Sequence, residues 1–437
     1  MSEVPKIKVL DAINPSNSGT GAELLIAPNL GDSVSRHAPL NPDRWESFLD
    51  SETGSLEELE AAKQLAISYL LMTSAKVVES SEKGHPVWAD RFTQAATELY
   101  GAPEKQEATS LLRSEYAFLS QLEKNDNVSK DPLQFLLNTY REILQSAGAS
   151  IEEETSTEIQ KQAIREYGEA LIERYKPLFE LIDTSEKTEY APTDIAELFN
   201  NALEWLKAND GEEWESWAIV SNDSTMLSVD AIGRKIKIAS RRESASPKDV
   251  RALLAHELLV HALRGKNGYK AGDDRLATGL PGYLDAEEGL GILVEEAVNG
   301  ELPEKAVDRY LDIALALGTI NGKQLTRQEL FKISYARHLV REQSKGALSQ
   351  DEITTLEKKV WGHIDRIYRG GKGSSKDTRQ SIFSKDIAYY VGYKQMAGYI
   401  TEQLALGKSA GELLDFLSQG KFDPTNADHL SIVNAGR

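Results

Sequence analysis

SPKDVRALLAHELLVH, Ser246 to His261, is the stretch on which the reading of this 437-residue chain turns. Ser246 supplies a helix N-cap, Pro247 the first helical position and Asp249 an acid in the first turn, so a helix starts here and carries both histidines. Imidazoles and carboxylates are ligands that zinc accepts, and a glutamate beside the first histidine can take a proton from water activated by the metal. His256 and His261 are therefore read as metal ligands and Glu257 as the general base. Histidines four apart lie about 40° apart around a regular helix, whereas a spacing of five leaves about 140° between them. One inserted residue, a π-bulge, returns both rings to one face, so a widened turn is expected between Glu257 and His261. With 7 histidines in the chain, such a motif arises by chance only about 0.01 times.

A zinc site needs a third protein ligand, and the segment Glu287-Glu288-Gly289-Leu290-Gly291-Ile292-Leu293-Val294-Glu295-Glu296 offers acidic pairs around an apolar run. Gly289 and Gly291 cost about 1 kcal/mol each inside a helix, a cost that makes sense if the helix approaches the first one closely. Glu288 and Glu295 are seven apart and share a face, so one can bind the metal while the other orients a histidine. At this level Glu287, Glu288 and Glu295 all stay open as the third ligand.

Composition narrows the chemistry. There are no cysteines, so thiolate sites, disulfides and a cysteine nucleophile are excluded, and a metal must be held by His, Asp and Glu. The net charge of -19, from 50 Lys plus Arg against 69 Asp plus Glu, disfavours nucleic acid and anionic membranes as partners. No stretch reaches the ~18 consecutive apolar residues of a membrane span, and Met1–Leu10 lacks a signal-peptide core, so a cytoplasmic location is expected.

Residues 1–55, with Asn14-Pro15-Ser16-Asn17-Ser18-Gly19, read as an irregular arm. Residues 56–210 show helical periodicity, including starts at Asp131-Pro132 and Pro192. From Trp217 the signal changes to three short β-rich runs, Trp217–Val220, Met226–Val229 and Lys235–Ile238, separated by turn residues; these predict a small antiparallel sheet, with Lys235–Ile238 a candidate edge for a peptide. Helices then resume, several opened by capping boxes at Thr326/Glu329, Ser349/Glu352 and Ser409/Glu412. The expected class is mainly α with a small antiparallel β-sheet (α+β): a helical N-terminal part packed on a zincin-like metallopeptidase domain spanning 211–437.

His256-Glu257-x-x-x-His261, followed by Gly279-Leu280-Pro281-Gly282-Tyr283 and Glu287-Glu288-Gly289-Leu290, resembles the microtubule-associated tyrosine carboxypeptidase family, whose bacterial members carry a "QEGLA" motif. Phe92-Thr93 with Leu99-Tyr100-Gly101-Ala102-Pro103, and Tyr368-Arg369-Gly370 with Phe383-Ser384-Lys385-Asp386-Ile387-Ala388-Tyr389, agree with the same family. The resemblance implies one zinc per chain held by His256, His261 and Glu288, Glu257 as base, and removal of residues from a peptide or protein C-terminus. The chain departs from the bacterial pattern with Glu287 in place of Gln and Gly291 in place of Ala. A weaker likeness, limited to the motif and the Glu-rich helix, is to dipeptidyl peptidase III.

Residues 366–385 form a basic island in an acidic chain: Arg366, Arg369, Lys372, Lys376, Arg379 and Lys385 against Asp377. Arg holds carboxylates bidentately, and a Lys or Tyr can stabilise an oxyanion. Within the family-like blocks, Arg369 and Lys385 are the substrate-binding candidates and Tyr389 a catalytic one. The expected activity is a zinc carboxypeptidase releasing a C-terminal residue, tyrosine or another aromatic. An aminopeptidase or dipeptidyl peptidase of the same motif, or a non-catalytic zinc-stabilised binding module, are the alternatives.

Overall fold

The computed structural model describes residues 67, 70, 71, 74, 86–149, 158–224, 226–368 and 381–435. The expected arm at 1–55, Arg369 and the glycine-rich run 370–375 lie outside them. In chain order the main elements are α1 (Pro86–Tyr100), α2 (Lys105–Gln121), α3 (Lys130–Ser146), α4 (Glu158–Arg174), α5 (Lys176–Asp183), α6 (Pro192–Asn209), β1 (Ala218–Asn222), β2 (Ser228–Asp230) and β3 (Lys235–Ala239). They continue with α7 (Pro247–Leu253), a π-helix (Leu254–Ala262), α8 (Leu263–Lys270), α9 (Asp274–Thr278), α10 (Leu284–Asn299), α11 (Glu304–Leu317), α12 (Arg327–Lys345), α13 (Gln350–Ile367), α14 (Ala388–Ala405), α15 (Ala410–Leu417) and α16 (Ala427–Ala435). The described residues are thus mainly helical with a small sheet, as the periodicities predict. No helix among the described residues is long and apolar enough to cross a membrane.

The chain divides into two compact units, each built from separated segments: 1–155 with 307–387, and 156–306 with 388–437. In the first unit the two distant family-like blocks meet. Phe383 packs against Phe92 and Tyr100, with ring centroids 6.0 and 5.4 Å apart. Ile382 N–H donates to Thr93 Oγ1 (2.9 Å), and Ser384 Oγ donates to the Ala96 carbonyl (3.0 Å). The same unit holds a buried ion network in which Arg337, wholly buried, reaches Asp308 and Asp312, while Arg341 pairs with Asp308 and Glu115.

In the second unit β1–β3 sit beside a helical layer in which α10 packs on α14, α4 and the π-helix. The sheet is mixed, with β3 in the centre: β1 pairs with it in parallel and β2 antiparallel. The turn residues between β2 and β3 specify a hairpin, but local signals do not say on which side β1 docks. Docking on β2 would have given the antiparallel meander that the sequence suggests. Docking on β3 makes β1 parallel and occupies both sides of β3, so Lys235–Ile238 is not an edge.

The helix starts follow their caps. Ser246, Thr326, Ser349 and Ser409 each accept a hydrogen bond from the backbone of the acidic residue three positions on, whose side chain returns the bond. Reciprocal bonding of this kind satisfies backbone groups that a helix end would otherwise leave unmade.

Candidate metal centre

The two histidines are brought together by backbone geometry. Leu254–Ala262 is π-helical, and the N–H of Leu263 reaches the carbonyl of Leu258, five residues back. Such i→i+5 bonding stacks residues five apart, which a regular α-helix separates. The widened turn is therefore present, and it extends over nine residues rather than a single bulge. The rings of His256 and His261 lie 4.7 Å apart at 75°, with their Nε2 atoms 3.0 Å from each other.

Helix α10 supplies the carboxylates. Glu288 Oε2 stands 3.9 Å from the Nε2 of His256 and 3.9 Å from that of His261. These three residues offer ligand atoms all within 4.8 Å of one another. The glycines explain the close approach. A β-carbon at Gly291 would fall 2.5 Å from His256 Cε1, and one at Gly289 would fall 1.9 Å from the Gly392 backbone of α14. Gly291 thus admits the first helix, as the sequence suggests, whereas Gly289 admits a different one.

The remaining ring nitrogens are held from behind. His256 Nδ1 is 2.6 Å from Glu295 Oε1, and His261 Nδ1 is 2.8 Å from Glu287 Oε1. With both Nδ1 atoms donating to carboxylates, the Nε2 lone pairs turn towards Glu288, which is how a histidine tautomer is fixed for ligation. Burial alone would raise the Glu295 carboxyl. Its hydrogen bond to His256 and the charge of Lys305, 2.7 Å away, outweigh that and hold it at about 2. Burial also acts against charge on Glu287, but Lys421 (2.7 Å), Arg264 and His261 hold it well below the usual carboxylate range. Arg264 is itself anchored, donating through Nε to the Gly420 carbonyl and through Nη2 to that of Phe422, each at 2.7 Å.

Glu287 and Glu295, the rivals of Glu288, are thus engaged with the histidines' Nδ1 atoms. Glu257 is half-buried on the π-helix beside His256. Tyr389 lies half-buried on α14, one turn before Gly392, whose backbone packs on Gly289. Lys385 opens a short 3-10 turn in the first unit, where the neighbouring Asp386 pairs with Arg366 at 2.9 Å. Arg366, one member of the basic island, therefore serves an internal ion pair. Local sequence pattern does not mark Arg264, Lys305 or Lys421. Arg264 follows His261 by one turn and so carried a weak signal. Lys421 carried none, being 134 residues from its partner.

A mainly helical unit in which a π-helix and a glycine-bearing helix gather two imidazoles and a carboxylate defines a protein with a His/His/Glu metal-type donor set. The resemblance read from the motifs is borne out: residues 152–309 match the model of the family described as microtubule-associated tyrosine carboxypeptidase. That span runs through β1–β3, the π-helix and α10. Comparison with curated proteins and with solved structures found no match.

Proposed function

We propose that the chain is a zinc-dependent carboxypeptidase that removes a C-terminal residue, tyrosine or another aromatic, from peptides or proteins. The observation that carries this reading is the convergence of two imidazole Nε2 atoms on the Glu288 carboxylate, with each Nδ1 held by a buried carboxylate. That donor set fits zinc: two nitrogens and one oxygen from protein leave a position for water or substrate. His256, His261 and Glu288 would hold the ion, one per chain, and zinc so held supplies Lewis acidity toward a carbonyl and acidifies water.

The chain's own residues do the rest. Glu257 takes the proton from the attacking water and delivers it to the leaving amine, so no covalent enzyme intermediate is required. Glu287 and Glu295 keep the two imidazoles in register while charge develops. Tyr389 is assigned to the carbonyl oxygen, where a phenol can donate a hydrogen bond as the carbon becomes tetrahedral. The match to the tyrosine carboxypeptidase family supports C-terminal trimming. The net charge of -19 argues against a strongly acidic substrate.

Mass spectrometry of a peptide library incubated with the zinc-loaded protein tests the reading. Loss of single C-terminal residues, abolished by chelation and restored by zinc, is expected. Trimming from the N-terminus, or no zinc-dependent cleavage at all, would overturn it.

A further inference from the structure

A carboxypeptidase needs a cation within reach of its reacting centre. The substrate's terminal carboxylate lies only about one residue, roughly 3.5 Å of extended chain, beyond the last peptide bond. In the unit that holds the histidines, most arginines are already engaged: Arg174, Arg241, Arg251, Arg264 and Arg275 each pair with a carboxylate. Arg234 lies over the Tyr269 ring and donates to Ser216. Arg242 differs. Among the described residues its guanidinium makes no ion pair, and its Nε is buried without a hydrogen-bond partner. A half-buried guanidinium left in this state carries a desolvation cost that a ligand carboxylate would remove.

Its place in the chain fits that role. Arg242 stands just beyond β3, the strand packed on the π-helix, in the link that ends at the Ser246 cap of α7. Helix α7 runs directly into the π-helix. Burial disfavours its charged form; Asp249 and Glu257 are the acids whose charges act on it in the opposite sense. Arg242 therefore follows directly on the strand that packs against the π-helix, in the same unit as His256, His261 and Glu288. Its planar fork suits a carboxylate, which it can hold through two parallel hydrogen bonds.

We infer that Arg242 receives the α-carboxylate of the substrate's C-terminal residue and so sets the enzyme's polarity. This rests on the peptidase reading above. The test uses the full, zinc-loaded chain with matched peptides ending in tyrosine as the free acid and as the amide. Amidation should lower kcat/KM of the parent by about tenfold or more. Arg242→Ala should lose about the same factor on the free acid, chiefly through KM, and nothing further on the amide, at unchanged zinc content. Arg242→Lys, which keeps the charge without the fork, should fall between. An Arg242→Ala enzyme that still prefers the free acid overturns the assignment. A parent indifferent to amidation overturns both the assignment and the carboxypeptidase polarity. Binding of the same peptides to Glu257→Gln protein, with and without Arg242→Ala, separates the two claims. Acid-selective binding that depends on Arg242, together with a zinc-loaded parent that hydrolyses none of the peptides, leaves the anchor standing and removes the peptidase. Absence of such binding removes the anchor.

Discussion

Gly291 has no side chain where the imidazole of His256 stands: a β-carbon there would lie 2.5 Å from Cε1 and 2.6 Å from Nε2 of the ring. Gly291→Ala should displace His256 and weaken zinc binding by about tenfold or more, while the helix itself gains up to about 1 kcal/mol in propensity. Gly289→Ala meets backbone instead, which cannot turn aside, so it should lower the stability of the whole unit. Zinc competition titration and thermal unfolding of the two variants check this. Equal effects of both substitutions on metal and on stability would contradict it.

Glu295 and Glu287 do the same work for the two rings from different surroundings. Glu295→Gln should reduce zinc affinity by about 10- to 100-fold with little loss of stability, since Lys305, 46% exposed, can turn to water. Glu287→Gln should cost both. It leaves Arg264, only 1% exposed, and Lys421 without their carboxylate, and breaking a buried pair costs about 3–5 kcal/mol. Chemical denaturation alongside metal titration separates the pair; a Glu287→Gln protein as stable as the parent would count against the network.

Glu257→Gln should retain the metal and lose turnover by about 100-fold or more, because the amide keeps the shape of the side chain but cannot accept a proton. Elemental analysis and peptide cleavage on the same preparation give both readings. Retained cleavage would mean that another residue is the base.

The first unit should be sensitive to acid. Burial would raise Asp308, Asp312 and Asp386, but Arg337 and Arg341, Arg337 and His363, and Arg366 and Arg309 respectively outweigh it and hold each carboxyl below its usual value. Folded values below unfolded ones mean that the unfolded chain binds more protons as pH falls. The stabilisation is therefore present above about pH 4 and is lost as pH drops further, through the folded values. Denaturation midpoints measured between pH 6 and 2 should decline below about pH 4, and Asp386→Asn should make that decline shallower. A flat profile from pH 5 to 3 would refute the account.

Much of this was legible in the residues themselves because the signals are local. The cap at Ser246, the proline at 247 and the five-residue spacing of His256 and His261 specify a helix start and then a widened turn within 16 positions. Gly291 announced a close approach, and the acidic pairs announced carboxylates for the site. The tertiary structure decided what local pattern leaves degenerate. Glu287, Glu288 and Glu295 are one residue type on one helix, and only the positions of the imidazole Nδ1 and Nε2 atoms distinguish the orienting carboxylates from the one facing both rings. Strand β1 has the same sequence whether it pairs with β2 or β3, so the mixed sheet follows from packing. Lys421, Lys305 and Arg264 act through ion pairs, and an ion pair depends on distance in space, which sequence separation does not encode.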